Sequence, residues 1–239
     1  MSDLHKRLLA LRNPARAEHS LRFFKTGPGQ YGHGDRFLGL TVPQIHSVAR
    51  EYRELTIEQL TQLLDSEWHE ERLVALMIAV EQFRRGDAAR RRAIYDWYLS
   101  KTDRINNWDL VDVSAYHIAG SYLCNRSRAP LKRLAKSRSL WERRIAIVAT
   151  AAFIRERQFD DTLQIAEMLF SDEHDLIHKA VGWMLREVGK RDEKVLRAFL
   201  DEHAASMPRT SLRYAIERLS PSVKKRYMAM PRVRPVKGY

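Results

Sequence analysis

Apolar residues recur at helical spacing through nearly all of the chain beyond residue 40, and that periodicity limits the fold more than anything else in the sequence. Leu73, Leu76, Met77 and Val80 fall at i, i+3, i+4 and i+7, as do Ile145, Val148, Ala149 and Ala152. Val181, Met184, Leu185 and Val188 repeat the pattern. Strand-like alternation never lasts beyond a few residues, and 10 glycines and 8 prolines in 239 residues are too few for a loop-rich β fold. The breaks are short: Gly86-Asp87, Arg128-Ala129-Pro130, Gln158-Phe159-Asp160, Ser171-Asp172, Gly189-Lys190 and Met207-Pro208. Links of that length join antiparallel helices, so the expected class is all-α.

The helices also return at a rough period. Basic residues opening apolar helices fall at Arg72, Arg144 and Lys179, separated by 72 and 35 positions, with the segment around Trp108 near the middle of the first interval. A two-helix unit of about 35 to 40 residues is the period of helical solenoids, in which each pair buries its apolar face by stacking on its neighbours. One stretch differs. Gly27-Pro28-Gly29-Gln30-Tyr31-Gly32-His33-Gly34, followed by Asp35, reads as a long loop before Phe37-Leu38-Gly39-Leu40. It lacks the preceding strand, the G-K-[ST] ending and the helix start of a phosphate-binding loop. A gating or substrate-contacting role stays open.

Charge narrows the partner. The net charge is +12 and the pI about 10.0, which points towards a polyanion. Half of the excess lies in Lys224, Lys225, Arg226, Arg232, Arg234 and Lys237, within a final stretch that contains no acid. We therefore expect a single repeat domain over residues 1–223 and a basic tail over 224–239. The one cysteine, Cys124, excludes an internal disulfide and a cysteine zinc site, and reads as a small helix residue. Met1-Ser2-Asp3-Leu4-His5-Lys6-Arg7 is no signal peptide, and no run approaches the roughly 18 apolar residues of a membrane span. A cytosolic, soluble protein is expected.

Familiar hydrolase chemistry has little support. There is no H-E-x-x-H and no G-x-S-x-G; His69-Glu70-Glu71 lacks a partner at ligand spacing. Asp172-Glu173-His174-Asp175 reads better as a helix cap and solvated turn than as a metal site. What remains is a set of aromatic and charged residues. Trp108 and Asp112 share a helix face one turn apart, a place suited to developing positive charge because both indole face and carboxylate attract cations. Arg144 follows in Trp141-Glu142-Arg143-Arg144-Ile145-Ala146, and Trp183 and Arg186 lie at i, i+3 in the stretch Lys179 to Glu187. Equivalent positions in a solenoid would line one concave surface. The alternative is that both tryptophans are core anchors and the charges rim salt bridges.

These residues carry a resemblance. From Phe37-Leu38-Gly39-Leu40-Thr41-Val42-Pro43 to about residue 220, the chain resembles the AlkD family of DNA alkylation-repair glycosylases. The densest parts are Trp108-Asp109-Leu110-Val111-Asp112, Trp141 to Ala146, and Lys179 to Glu187. The resemblance implies an all-α, right-handed superhelical solenoid of HEAT-like (armadillo-like) repeats. It implies hydrolysis of the N-glycosidic bond of cationic 3- or 7-alkylated purines in double-stranded DNA, without base flipping. It further implies a monomer of the bacterial cytosol, with no cofactor and no metal. Trp108, Asp112 and Trp183 would be the catalytic cleft residues; Arg144, Arg186 and Lys179 would hold the DNA backbone. Two features depart from the better-studied family form: the insertion 27–34, and Thr41, which would contact DNA through a hydroxyl where that form has a glutamine. A non-catalytic nucleic-acid scaffold and a solenoid binding an acidic peptide are the alternatives carried forward.

Overall fold

A computed structural model of the chain describes residues 3–231, and among these every regular element is helical, apart from a single bridge between Arg36 and Trp68. The expected all-α class is what forms, and no helix among the described residues is long and apolar enough to cross a membrane. The chain divides into two compact units, Met1–Ala119 and Gly120–Tyr239.

In the first unit, α1 (Asp3–Leu9) is followed by α2 (Pro14–Phe23), which starts where the Asn13 side chain accepts the Arg16 N–H and proline takes an early position. Capping boxes open both α3 (Val42–Glu51) and α4 (Ile57–Leu64), through Thr41 with Gln44 and Thr56 with Gln59. Then come α5 (His69–Arg85), α6 (Ala88–Ser100), capped by Asp87, and α7 (Trp108–Ser114). The 17-residue α5 is the centre of the unit and packs on α3, α4, α6 and α7. Because neighbours surround it, its buried surface is wider than the expected stripe: Val74, Ala75, Ile78 and Ala79 are buried with Leu73 and Leu76. Met77 and Val80, expected in the core, are only half-buried.

The Phe37-Leu38-Gly39-Leu40 stretch is held by a buried carboxylate. Glu70 accepts the backbone N–H groups of Leu38 at 2.9 Å, Gly39 at 2.8 Å and Leu40 at 3.3 Å. Gly39 has φ +81°, and a Cβ there would lie 2.2 Å from the Asn13 carbonyl oxygen. Glycine is the residue that fits both conditions. The glycine-rich segment before it is irregular, a series of turns as expected.

The second unit contains α8 (Ser121–Leu123), α9 (Ala129–Leu134), α10 (Leu140–Ala149), α11 (Ala151–Arg155), α12 (Asp160–Met168), α13 (Asp175–Arg191), α14 (Glu193–His203), α15 (Arg209–Ala215) and α16 (Pro221–Ala229). Its centre is α13, again 17 residues long, packed on α10, α11, α12, α14 and α15. Two local expectations are corrected here. The Ile145-to-Ala152 stripe is buried but spans two helices, because the chain breaks at Thr150, whose hydroxyl donates to the Ile147 carbonyl at 2.7 Å. The break expected at Gly189-Lys190 lies instead at Asp192, which caps α14. Gly189 lies inside α13, where α14 approaches it closely: a Cβ there would meet Leu196 Cδ2 at 2.4 Å.

The division expected at residue 223 falls inside α16. Lys224, Lys225 and Arg226 are helical, Tyr227 is buried, and its hydroxyl donates to Asp201 at 2.8 Å. Arg232, Arg234 and Lys237 lie outside the described residues.

Candidate functional site

Helix α7 starts where the Asn107 side chain accepts the Trp108 N–H at 2.8 Å. Trp108 is half-buried, neither a core anchor nor a free surface ring. Its indole stacks on Phe24 at 5.4 Å between centroids and 23°, and meets the edge of Phe23 at 5.8 Å and 68°. Phe23 is itself 56% exposed at the end of α2. One turn along α7, half-buried Asp112 lines a groove of about 650 Å³ within the first unit. Met77, Val80 and Val113 supply apolar lining, which explains why the first two are not in the core.

The groove carries cations on its rim. Arg50, Arg84 and Arg85 are exposed there, the last two near Glu81 at 3.3 and 2.7 Å. A π-helical turn, Tyr116–Gly120, follows α7 and leaves the close-packed rings of Tyr116 and His117 on the same groove. Such turns are rare and concentrate at functional sites. Burial pushes the Tyr98 phenol upward, and the charge of Asp112 adds to that push despite the bond to Ser114.

Beneath α7 lies a charged cluster that sequence reasoning missed. His69, Glu70, Glu71 and Arg72 are four consecutive charged or ionisable residues, all buried. Each has a partner: His69 lies between Asp35 and Asp109, Glu70 holds the 38–40 backbone, Glu71 meets His5 at 2.5 Å, and Arg72 donates to Asp35 at 2.6 Å. Burial opposes charge on His69, but Asp109 and Asp35 outweigh it and raise its pKa to about 9. Burial likewise opposes charge on Asp35, and His69 and Arg72 overcome it, holding the carboxyl below its usual range. The available signal was the run His69-Glu70-Glu71-Arg72 opening a helix that is otherwise core.

In the second unit, Lys179, Trp183 and Arg186 fall at i, i+4 and i+7 on α13 and so share one face. Trp183 is half-buried. Lys179 pairs with Asp175 at 2.7 Å, and Arg186 pairs with Glu217. Arg144 is 5% exposed and donates to the Leu176 carbonyl at 2.6 Å, pinning α10 to the start of α13. Thr41 is occupied as the cap of α3. His174 caps α13, as the turn reading expected, but Asp172 is buried against Arg143 at 2.5 Å rather than solvated.

The family described as DNA alkylation repair enzyme matches residues 4–219. Among solved structures, one described as a predicted DNA alkylation repair enzyme from Enterococcus faecalis matches with a TM-score of 0.67, over 88% of this chain and 97% of that chain, at 19% sequence identity. That likeness carries the fold, a HEAT-like helical repeat. No curated protein matches the sequence.

Proposed function

The chain belongs to the DNA alkylation repair enzyme family, and from that premise we propose that it is a monofunctional DNA glycosylase for cationic 3- or 7-alkylated purines in duplex DNA. The observation that carries this reading is the pair on α7: an indole and a carboxylate one turn apart, with the carboxylate on a groove rimmed by arginines.

The chemistry asks little of a general acid. A purine alkylated at N3 or N7 is already positive and leaves as a neutral base when the glycosidic electron pair moves to it. The positive charge passes to the sugar as an oxocarbenium-like species. Asp112 stabilises that charge through its carboxylate and orients the water that attacks the anomeric carbon; the water's proton is released as the abasic sugar forms. Trp108 offers its aromatic face to the lesion and its deoxyribose, and Trp183 is proposed as a further aromatic contact for the substrate. Lys179 and Arg186 hold phosphates, exchanging Asp175 and Glu217 for the DNA backbone, a grip that weakens with salt. Arg144 and Thr41 act indirectly, by fixing the starts of α13 and α3. Asp112 lies on a groove, whereas base-flipping enzymes enclose the extruded base in a snug pocket, which supports recognition without flipping.

The test is selectivity by charge. Duplexes carrying 7-methylguanine should lose the base, and duplexes carrying the neutral O6-methylguanine should not, as read by chromatography of the released base. Equal release of both would contradict the reading, since a neutral lesion needs a protonating acid.

A further inference from the structure

Both residues that flank Trp108 in sequence are tied to one buried cluster. Asn107 donates through Nδ2 to Asp35 at 3.1 Å. Asp109 accepts from His69 Nε2 at 2.7 Å, and the other imidazole nitrogen, Nδ1, meets the Asp35 carboxylate at 3.2 Å. Arg72 completes the set by donating to Asp35 at 2.6 Å. A second route reaches the same tryptophan through rings: His69 lies on Phe37 at 4.7 Å and near Phe24 at 5.0 Å, and Phe24 stacks on Trp108.

We infer that His69 is a positioning residue, which bridges Asp35 and Asp109 so as to fix the first turn of α7 and, through it, the Trp108 indole and the Asp112 carboxylate. The inference rests on the reading of that pair as the reacting groups. The charges facing His69 are Asp35, Asp109 and Arg72. With the imidazole protonated, two anions and two cations balance; without the proton, the cluster keeps an uncompensated negative charge and one carboxylate loses the hydrogen bond it accepts from His69. His69 is 2% and Asp35 7% exposed, and the half-buried Asp109 side chain is only 15% exposed, so solvent makes good little of that loss. Buried ion pairs of this kind add little stability over well-packed apolar residues. What they supply is direction: two carboxylates on separate segments, one ending the glycine-rich loop and one in the first turn of α7, are held at defined angles to one imidazolium.

The experiment uses the full-length protein. The His69 ring, followed by NMR, should titrate at about 9. His69→Gln should slow single-turnover release of 7-methylguanine by about tenfold or more, while duplex affinity changes less than about twofold. Asp109→Asn should move the alkaline limb of the rate profile to lower pH, and this variant decides the matter if His69→Gln fails to fold. Titration of His69 near 6.5, full rate in folded His69→Gln, or an unmoved limb in Asp109→Asn would each overturn the inference. If the wild type releases no base, the functional reading falls, and fluorescence decides this one separately. The Trp108 contribution, taken as wild type minus Trp108→Phe, must then change with the same midpoint as His69; a contribution independent of pH overturns it.

Discussion

Asp112→Asn is expected to lower single-turnover release of 7-methylguanine by about 10²- to 10³-fold, the usual consequence of removing one preorganised electrostatic stabiliser. The amide keeps the size of the carboxylate, removes its charge and turns one of its two acceptor oxygens into a donor. Asp112 is half-buried on the groove, so the loss of rate is read on variant protein whose fold is checked by circular dichroism. Binding moves the other way: with one anion fewer beside Arg50, Arg84 and Arg85, undamaged duplex should bind slightly more tightly. Slower chemistry together with stronger binding is a signature that a general loss of structure does not produce. A wild-type rate in this variant would remove Asp112 from the mechanism.

Gly39→Ala is expected to have the largest effect on stability, a loss of about 2–5 kcal/mol in urea unfolding. A residue with a side chain at φ +81° costs about 1–2 kcal/mol. The added methyl would also lie 2.2 Å from the Asn13 carbonyl oxygen and 2.5 Å from the Ala17 nitrogen. Both are main-chain atoms of the α2 start, so relief requires the helix to move, and overpacking of this kind adds about 1–3 kcal/mol. Movement of α2 carries Phe23 and Phe24 away from Trp108, so base release should fall as well. A loss below about 1 kcal/mol would mean that α2 adapts freely and is no rigid wall for the indole.

The parts of the molecule legible in the sequence are those set by local spacing. Leu73 and Leu76, or Val181 and Met184, declare a helix face because 3.6-residue geometry needs no distant partner. Trp108 and Asp112 were visible as a pair for the same reason. The errors share a different cause. His69-Glu70-Glu71 shows no partner at ligand spacing in the sequence, yet with Arg72 each side chain is buried against partners far along the chain, such as Asp35 and the 38–40 backbone. Asn107 and Asp35 are 72 residues apart, beyond any window of periodicity. Arg144 reads as a cation free for phosphate, and the fold instead spends it on the Leu176 carbonyl. Gly189 reads as a helix end because its need, the close approach of Leu196, comes from a neighbouring helix. Residue type reveals what a side chain can do; the partner that uses it is a property of the fold.

The central claim is that the α7 pair serves bond cleavage rather than binding alone. The most direct measurement incubates excess wild-type protein with a duplex containing one 7-methylguanine and quantifies both free base and abasic sites by mass spectrometry. The account predicts that both appear in equal amounts, well above spontaneous depurination. Tight binding of the duplex with release no faster than in its absence would contradict it, and would leave a helical-repeat scaffold that holds DNA without acting on it.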